Sequence, residues 1–141
     1  GVGKVVQVVN ATYNTQAISS TTTYADTGLT ATITPTSATS KILVSAHQNG
    51  CYVNPDFTAN GLNVKLLRGA TIISKLAQNA GYTATAFRQY LATVSSSYLD
   101  SPATTTATTY KTQFANNIAA SDVRLQVNAG QSTITLMEIG V

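Results

Sequence analysis

The residues that could carry chemistry begin with one triplet, Asp26-Thr27-Gly28. Small dimeric aspartic proteases use such a triplet, because two carboxylates that meet across a dimer axis can share one proton. A protease of that kind needs a strongly apolar strand before the triplet, whereas the residues in front of it here, Thr21–Ala25, are polar. Asp and Gly are also common turn residues. We therefore expect this triplet to form a turn rather than a catalytic loop.

The chain has one histidine, His47, and one cysteine, Cys51. This pair does not make a zinc site, which needs at least three protein ligands, and no nucleophile elbow accompanies the histidine. We expect His47 to end a core strand with a satisfied hydrogen bond. A lone cysteine cannot form an internal disulfide, so we expect a small buried thiol, with an intermolecular bridge as the alternative.

The acidic residues are well separated along the chain: Asp26, Asp56, Asp100, Asp122 and Glu138. No calcium-loop spacing occurs among them, although a site assembled from distant loops stays open. A paired-carboxylate glycosidase site is equally unsupported. We therefore predict no catalytic residue, no metal site and no cofactor.

A loop over Asn49–Gly61 is rich in aromatic and amide side chains. Aromatic rings stack on sugars, and amide or carboxylate groups bind sugar hydroxyls. The candidate glycan contacts are therefore Tyr52, Asn54, Asp56 and Phe57. The alternative is an irregular loop that packs Tyr52 and Phe57 on the end of the domain.

Asn10-Ala11-Thr12 matches the acceptor pattern for N-linked glycosylation. Such triplets also arise by chance. Asn10 is thus a candidate attachment site, with an unmodified surface asparagine as the alternative.

These candidate residues lie on or between predicted strands, because apolar and polar residues alternate with a period of two almost everywhere. The strongest core strand is Lys41–Gln48, with Ile42, Val44 and Ala46 on one face, and Arg68-Gly69 indicates a tight hairpin. The predicted strands are Lys4–Asn10, Thr22–Tyr24, Leu29–Thr34, Lys41–Gln48, Leu62–Leu67, Ala70–Ala77, Thr85–Tyr98, Thr106–Ala115, Val123–Asn128 and Thr133–Ile139. We predict an all-β, antiparallel, jelly-roll-like β-sandwich of about nine or ten strands in a single domain, residues 1–141.

Charged residues make up only 9% of the 141 residues, while 24 residues are threonine. The surface should therefore be rich in hydroxyl groups and weakly charged, which suits a protein that associates with others. The net charge is +3, but the basic residues are scattered and form no stripe of the kind that nucleic acid requires. No apolar run approaches the length of a membrane span. We expect neither nucleic acid binding nor membrane insertion.

The first predicted strand is apolar on both faces, through Val5, Val6, Val8 and Val9. An exposed apolar strand is an association site unless something covers it. We predict that residues 1–10 form an assembly strand that is exchanged between copies, with residues 11–20 as its linker. The alternative is a strand that pairs within its own domain.

Several segments together form a familiar pattern: Gly3–Val9, Tyr24–Leu29, Ile33–Val44, Leu66–Gly69, Tyr98–Pro102, Thr108–Lys111 and Ser132–Ile139. This pattern resembles a domain of virion surface and tail-fibre-like proteins of tailed bacteriophages, especially from aquatic environments. The resemblance spans nearly the whole chain. It implies a jelly-roll-like sandwich in a homo-oligomer, and no catalytic residues come with it.

These observations lead to a non-enzymatic structural protein at the virion surface or outside the cell, which assembles with copies of itself into a filament or trimer. It would be a subunit of an extracellular fibre or virion appendage. The alternatives are a receptor- or glycan-binding tip of a phage tail fibre and a capsid decoration protein. A dimeric protease that uses Asp26 is a remote third option.

Overall fold

The computed structural model describes residues 3–54, 56–82 and 89–141, with the backbone alone for residues 89 and 90. Within these ranges the chain forms ten strands and a three-residue 3-10 helix, Val127–Ala129. The strands are β1 (Lys4–Tyr13), β2 (Ala17–Ser19), β3 (Ala25–Ile33), β4 (Lys41–Val53), β5 (Leu62–Arg68), β6 (Thr71–Ala80), β7 (Gln89–Asp100), β8 (Thr108–Asn116), β9 (Val123–Leu125) and β10 (Ser132–Gly140).

The strands form two antiparallel sheets, which confirms the predicted all-β sandwich. In the first sheet the order is β1-β10-β4-β7, and the short strands β9 and β2 continue it beside the far end of β4. In the second sheet the order is β3-β8-β5-β6.

The pairing is nested along the chain. β1 pairs with β10, β3 with β8, β4 with β7 and β5 with β6, and successive pairs alternate between the two sheets. A long hairpin of four strand pairs that is rolled up in this way is a jelly roll. The chain therefore returns at its end to pair with its beginning.

Alternation of apolar residues builds the core between the sheets, since successive side chains of a strand point to opposite faces. On β4, Ile42, Val44 and Ala46 are fully buried, as predicted. Beside them on β10, in the same sheet, lie Ile134 and Leu136, which are also fully buried. Leu29, Ile33 and Leu66 of the second sheet join them in one buried apolar cluster between the sheets.

The triplet Asp26-Thr27-Gly28 is not a turn, because it lies inside β3. The register between β3 and β8 shifts between Asp26 and Thr30, which marks a β-bulge. Gly28 adopts a φ of 93°, a conformation that favours glycine. The turn was predicted because Asp and Gly are common turn residues. Residues 22–24, predicted as a strand, precede β3 without forming one.

The region after the first valines also differs from the prediction. β1 continues to Tyr13, and β2 occupies Ala17–Ser19, so residues 11–20 contain strand structure rather than a free linker. The polar residues there are compatible with strands because one face of an antiparallel sheet meets water.

Several further strands have different bounds from those predicted. β4 runs to Val53, so residues 49–53 of the predicted loop Asn49–Gly61 are strand. β9 stops at Leu125, where Gln126 takes a left-handed conformation before the 3-10 helix. The predicted strand Thr85–Tyr98 lies partly outside the described residues, and from Gln89 onward it forms β7 as far as Asp100. The Arg68-Gly69 hairpin is confirmed between β5 and β6, with Gly69 at a φ of 57°.

Candidate assembly surface

β1 lies at one edge of the first sheet. Its ladder with β10 runs from Lys4 opposite Gly140 to Tyr13 opposite Ser132. Within the described residues β10 is its one ladder partner. The other side of β1 therefore presents backbone groups at a sheet edge, where a further strand can be added.

The four valines of β1 have different environments. Val5, Val6 and Val8 are 58%, 48% and 55% exposed, whereas Val9 is half-buried and packs on the core. Three of the four predicted assembly residues thus lie at the surface, and one belongs to the interior. A strand with this distribution stabilises its own domain and also offers apolar surface to a neighbour.

A bulge explains why Val5 and Val6 are both exposed. The register with β10 shifts between Val5 and Gln7, so the regular alternation is interrupted there. Gln7 then points to the interior, where its Nε2 donates to Glu138 Oε2 at 2.6 Å. The same Nε2 donates to the carbonyl oxygen of Thr34 at 2.8 Å.

In this single chain β1 completes its own sheet, which is the arrangement that the within-domain alternative describes. Its inner face includes Val9, Ala11 and Tyr13, which pack against the first apolar cluster of the core. Exchange of the same strand between copies stays a prediction, because a swapped strand would make these same contacts in a neighbouring copy.

The amide and carboxylate groups predicted to bind a glycan lie in a hydrogen-bonded loop. Asn54 Nδ2 donates to Asp122 Oδ1 at 2.6 Å, and Asn54 Oδ1 accepts from the backbone N–H of Asp56 at 3.1 Å. Burial would raise the pKa of Asp122, but hydrogen bonds from Arg124 and Asn54 lower it. The Asn54 side chain thus ties the loop to the segment before β9.

The two predicted aromatic contacts differ in position and exposure, because Tyr52 lies in β4 and Phe57 lies in the loop after it. The Tyr52 ring is half-buried and lies under the Arg124 guanidinium, 5.2 Å from the ring centroid, while Phe57 is 42% exposed. Pro55 lies outside the described residues. Sugar binding at Tyr52, Asn54, Asp56 and Phe57 stays a prediction.

Asn10 is exposed on β1. Its Nδ2 donates to Thr135 Oγ1 at 2.9 Å, on the neighbouring strand β10. The side chain therefore lies along the outer face of the first sheet. Glycosylation there stays a prediction, and an attached glycan would cover this face.

The Asp26 carboxylate accepts hydrogen bonds from Gln113 at 2.8 Å and from Lys111, whose Nζ lies 2.9 Å from the nearer oxygen. The Gln113 hydrogen bond, followed by that of Lys111, lowers the pKa of Asp26. A carboxylate that is held ionised beside a lysine is a poor partner for proton sharing. This geometry is that of a surface ion pair.

His47 and Cys51 occupy different environments on β4. His47 is exposed within the strand and not at its end, whereas Cys51 is buried, as expected, with 1% exposure. Burial raises the pKa of the Cys51 thiol to about 11. Among residues 3–54, 56–82 and 89–141, no group of three or more His, Cys, Asp or Glu residues is arranged to hold a metal ion. In the same ranges no helix has the length and hydropathy needed to cross a membrane.

A buried polar network at the centre of the sandwich was not predicted. Gln48 donates through Nε2 to Gln126 Oε1 and, at 3.0 Å, to Ser132 Oγ, and its Oε1 accepts from Thr112 Oγ1 at 2.9 Å. Thr112 Oγ1 in turn forms a hydrogen bond of 2.6 Å with Thr27 Oγ1. The signal was present in the sequence, since Gln48 continues the parity of the core residues of β4.

The structural role of this network accounts for the buried polar side chains of the interior. It joins both sheets and lies between two apolar clusters, one around Val44 and Leu136 and one around Val53 and Phe114. Its amides and hydroxyls hydrogen-bond one another, which removes the cost of burying them. The polar core is thus a structural element.

Comparison with known proteins finds no matching family model and no matching curated protein. Solved structures do match. The crystal structure of the infectious bursal disease virus VP2 subviral particle has a TM-score of 0.53 at 11% identity, over 96% of this chain and 38% of that chain. The T=1 particles derived from the same virus give a TM-score of 0.49 at 10% identity, over the same shares. At this identity the first match establishes a shared fold, and the present chain spans about two fifths of that protein's length.

Proposed function

We propose that this chain is a non-enzymatic structural module of a virus particle, and that it assembles there with copies of itself through β1. The observation that carries the proposal is the exposure of Val5, Val6 and Val8 on an edge strand. The jelly roll shared with part of the VP2 subviral particle supports a virion role.

The free energy available from β1 is modest for one contact. Covering a half-exposed valine contributes about 1 kcal/mol, so three valines contribute about 3 kcal/mol in each copy. Such a contact is weak between two molecules and becomes effective when many copies repeat it on a particle or fibre. This favours a module that works within a larger assembly.

The finer form of the proposal is a subunit of a virion surface appendage or extracellular fibre, such as a tail fibre of a bacteriophage or a decoration protein. Contact through β1 has two geometries. The strand can be exchanged between copies, or the open edge of β1 can add to a sheet of a neighbour. The low charge of the chain favours either geometry, because little repulsion separates the copies.

A second candidate function is glycan recognition at a fibre tip. A specific observation favours it: an open groove of about 490 Å³ lies on the outer face of the second sheet, lined in part by Lys65, Thr109, Lys111 and Gln113. Ammonium, hydroxyl and amide groups suit sugar hydroxyls or carboxylates. A glycan array that compares the wild type with Lys65→Ala tests this function, and binding that survives the substitution points instead to the loop around Phe57.

The assembly proposal is tested with the double variant Val5→Thr/Val8→Thr. Threonine keeps the shape and strand preference of valine and replaces a methyl with a hydroxyl group. We expect the wild type to form oligomers in light scattering and negative-stain microscopy, and the double variant to dissociate at concentrations where the wild type does not. The matched control is Ile18→Thr, because Ile18 is 56% exposed on another strand of the same sheet.

A wild-type chain that remains monomeric at millimolar concentration would contradict the proposal. Circular dichroism and thermal unfolding show whether the double variant keeps its fold, so that lost assembly is not confused with lost structure.

A further inference from the structure

The outer face of the first sheet carries a continuous apolar row. The register places Val8 opposite Met137, Met137 opposite Leu43, and Leu43 opposite Leu99. Met137 and Leu43 each lie between buried neighbours on their strands, so both point outward. Directly paired residues of a sheet share a face, so Val8 and Leu99 point outward with them. One row of apolar residues therefore crosses all four long strands.

A second apolar pair lies next to this row. Val5 is opposite Ile139, which is in turn opposite Lys41 at the rim. Val5 and Leu99 are 58% and 55% exposed. The outer positions of an antiparallel sheet that faces water are normally polar, so this end of the face departs from the usual alternation.

The other end of the face consists of hydroxyl and amide groups. One row is Asn10, Thr135, Ser45 and Ser97, and the next is Thr12, Thr133, His47 and Ser95. Among the described residues that point outward from β1, β10, β4 and β7, none is acidic, and the Lys41 Nζ donates to Ser101 Oγ at 2.6 Å. The face is therefore apolar at one end, neutral and hydroxyl-rich at the other, and nearly free of charge.

The size of the face fits an interface between proteins. Four strands at about 4.8 Å spacing and eight residues at about 3.4 Å give an area of about 500 Å². Two copies would bury about 1,000 Å², which is the lower bound for a specific contact.

The chemistry of the face favours another copy of the same chain as the occupant. A face without acidic groups does not repel itself strongly, and hydroxyl groups can both donate and accept toward identical groups. The apolar row is also continuous with Val5 and Val8 of the proposed assembly strand. A partner with a charged surface would have to bury its charges against valine and leucine, which is costly.

We propose that the outer face of the β1-β10-β4-β7 sheet packs against the same face of a second copy across a twofold axis. This inference rests on the proposed self-assembly and names its surface. Contact through one shared face closes the assembly, whereas strand addition at the β1 edge lets it grow as a filament.

The test uses Leu99→Ser, which removes the apolar side chain at the end of the row farthest from β1. Its matched control is Ile72→Ser on β6, since Ile72 is 52% exposed on the second sheet. We expect Leu99→Ser to raise the dissociation constant of the oligomer at least tenfold in sedimentation or light scattering, and Ile72→Ser to change it less than twofold.

A cross-linking experiment keeps the test valid if Leu99→Ser folds poorly. Cys51 is the one cysteine and is buried, so a cysteine introduced at Leu99 or Ile72 is the reactive thiol. We expect a short bismaleimide to join Leu99→Cys chains into covalent oligomers and to leave Ile72→Cys chains single.

The outcomes separate the two proposals. An oligomer that is insensitive to Leu99→Ser and is not cross-linked through Leu99→Cys, yet is lost in Val5→Thr/Val8→Thr, overturns the face and supports contact at the β1 edge. A wild-type chain that stays monomeric overturns both the face and the proposed function.

Discussion

Gln7 donates a hydrogen bond from Nε2 to Glu138 Oε2 at 2.6 Å and thereby joins the first strand of the chain to the last. Glu138 is fully buried, and its other oxygen accepts from the backbone N–H and the hydroxyl of Thr36, each at 2.8 Å. Burial alone would raise the pKa of Glu138, but these hydrogen bonds lower it to about 2. Through these hydrogen bonds the Glu138 carboxylate links both β1 and the segment around Thr36, which follows β3, to β10.

Replacement of Glu138 by Gln should destabilise the protein by about 2 kcal/mol at pH 7. The new amide N–H group would point at Gln7 or Thr36, which already donate hydrogen bonds to this position. A lowered pKa stabilises the folded state above the pKa of the unfolded chain, near 4.5. This stabilisation is lost as the pH falls from about 4.5 to about 2, so the gap between wild type and variant should narrow there. Urea unfolding at several pH values measures this difference in the free energy of unfolding between the wild type and the variant.

The control for this experiment is Asp56→Asn, which changes an exposed acid. We expect a change in the free energy of unfolding of less than about 0.5 kcal/mol. A Glu138→Gln variant as stable as the wild type at pH 7 would contradict the role assigned to the carboxylate.

Gln48→Ala should cost about 2 to 4 kcal/mol of unfolding free energy, since it removes one hydrogen-bond partner from each of the buried side chains of Thr112, Gln126 and Ser132 and leaves a cavity among them. Chemical denaturation monitored by circular dichroism measures the loss. The matched change Gln16→Ala, at an exposed position before β2, should have an effect below about 0.5 kcal/mol. Equal stability of the two variants would show that the network contributes little.

Arg68→Ala should destabilise the fold by about 2 kcal/mol, because Asp100 is only 5% exposed and would keep a single strong partner, the Tyr110 hydroxyl at 2.7 Å. The cost is moderated because the Arg68 side chain is 29% exposed and water can partly replace it. Thermal unfolding measures the change.

The comparison variant for Arg68 is Lys111→Ala, which breaks the more exposed pair with Asp26. We expect a cost of less than about 1 kcal/mol there. If Lys111→Ala loses more unfolding free energy than Arg68→Ala, the more buried pair of Arg68 and Asp100 is not the stronger of the two ion pairs.

Gly28→Ala should be more damaging than Gly69→Ala, although both glycines have positive φ. A Cβ at Gly28 would overlap the ring of Tyr13, whereas a Cβ at Gly69 meets nothing within 4 Å. Gly69→Ala should thus cost about 1 kcal/mol, for backbone strain alone. Gly28→Ala should cost at least about 1 kcal/mol more. Denaturation midpoints of the two variants decide the order, and equal midpoints would contradict the close approach of Tyr13.

Alternation along single strands made much of the sandwich predictable. Ile42, Val44 and Ala46 share a parity that marks an inner face, and the glycine after Arg68 marks a hairpin, because both signals depend on near neighbours in the chain. Asp26-Thr27-Gly28 was predicted wrongly for the same reason. Asp and Gly favour a turn when only neighbouring residues are considered. In the fold, the hydroxyl of Thr27 hydrogen-bonds to the hydroxyl of Thr112 in the core, 85 residues away, and the chain continues as a bulged strand.

The candidate site was predicted in part. The valines of β1 stand out as apolar at both parities, but their exposure depends on the bulge opposite β10, which no local pattern reveals. The loop around Asn54 was recognised by its composition, while its tie to Asp122 requires a segment far along the chain.

The amino-acid pattern alone predicts a weakly charged β-sandwich with an apolar first strand, because strand preference and side-chain parity are properties of consecutive residues. The folded chain was needed to show which strands are edges, and that one row is formed by Val8, Met137, Leu43 and Leu99. Strand order and register could not be predicted locally, because they follow from long-range pairing that brings together residues far apart in the chain.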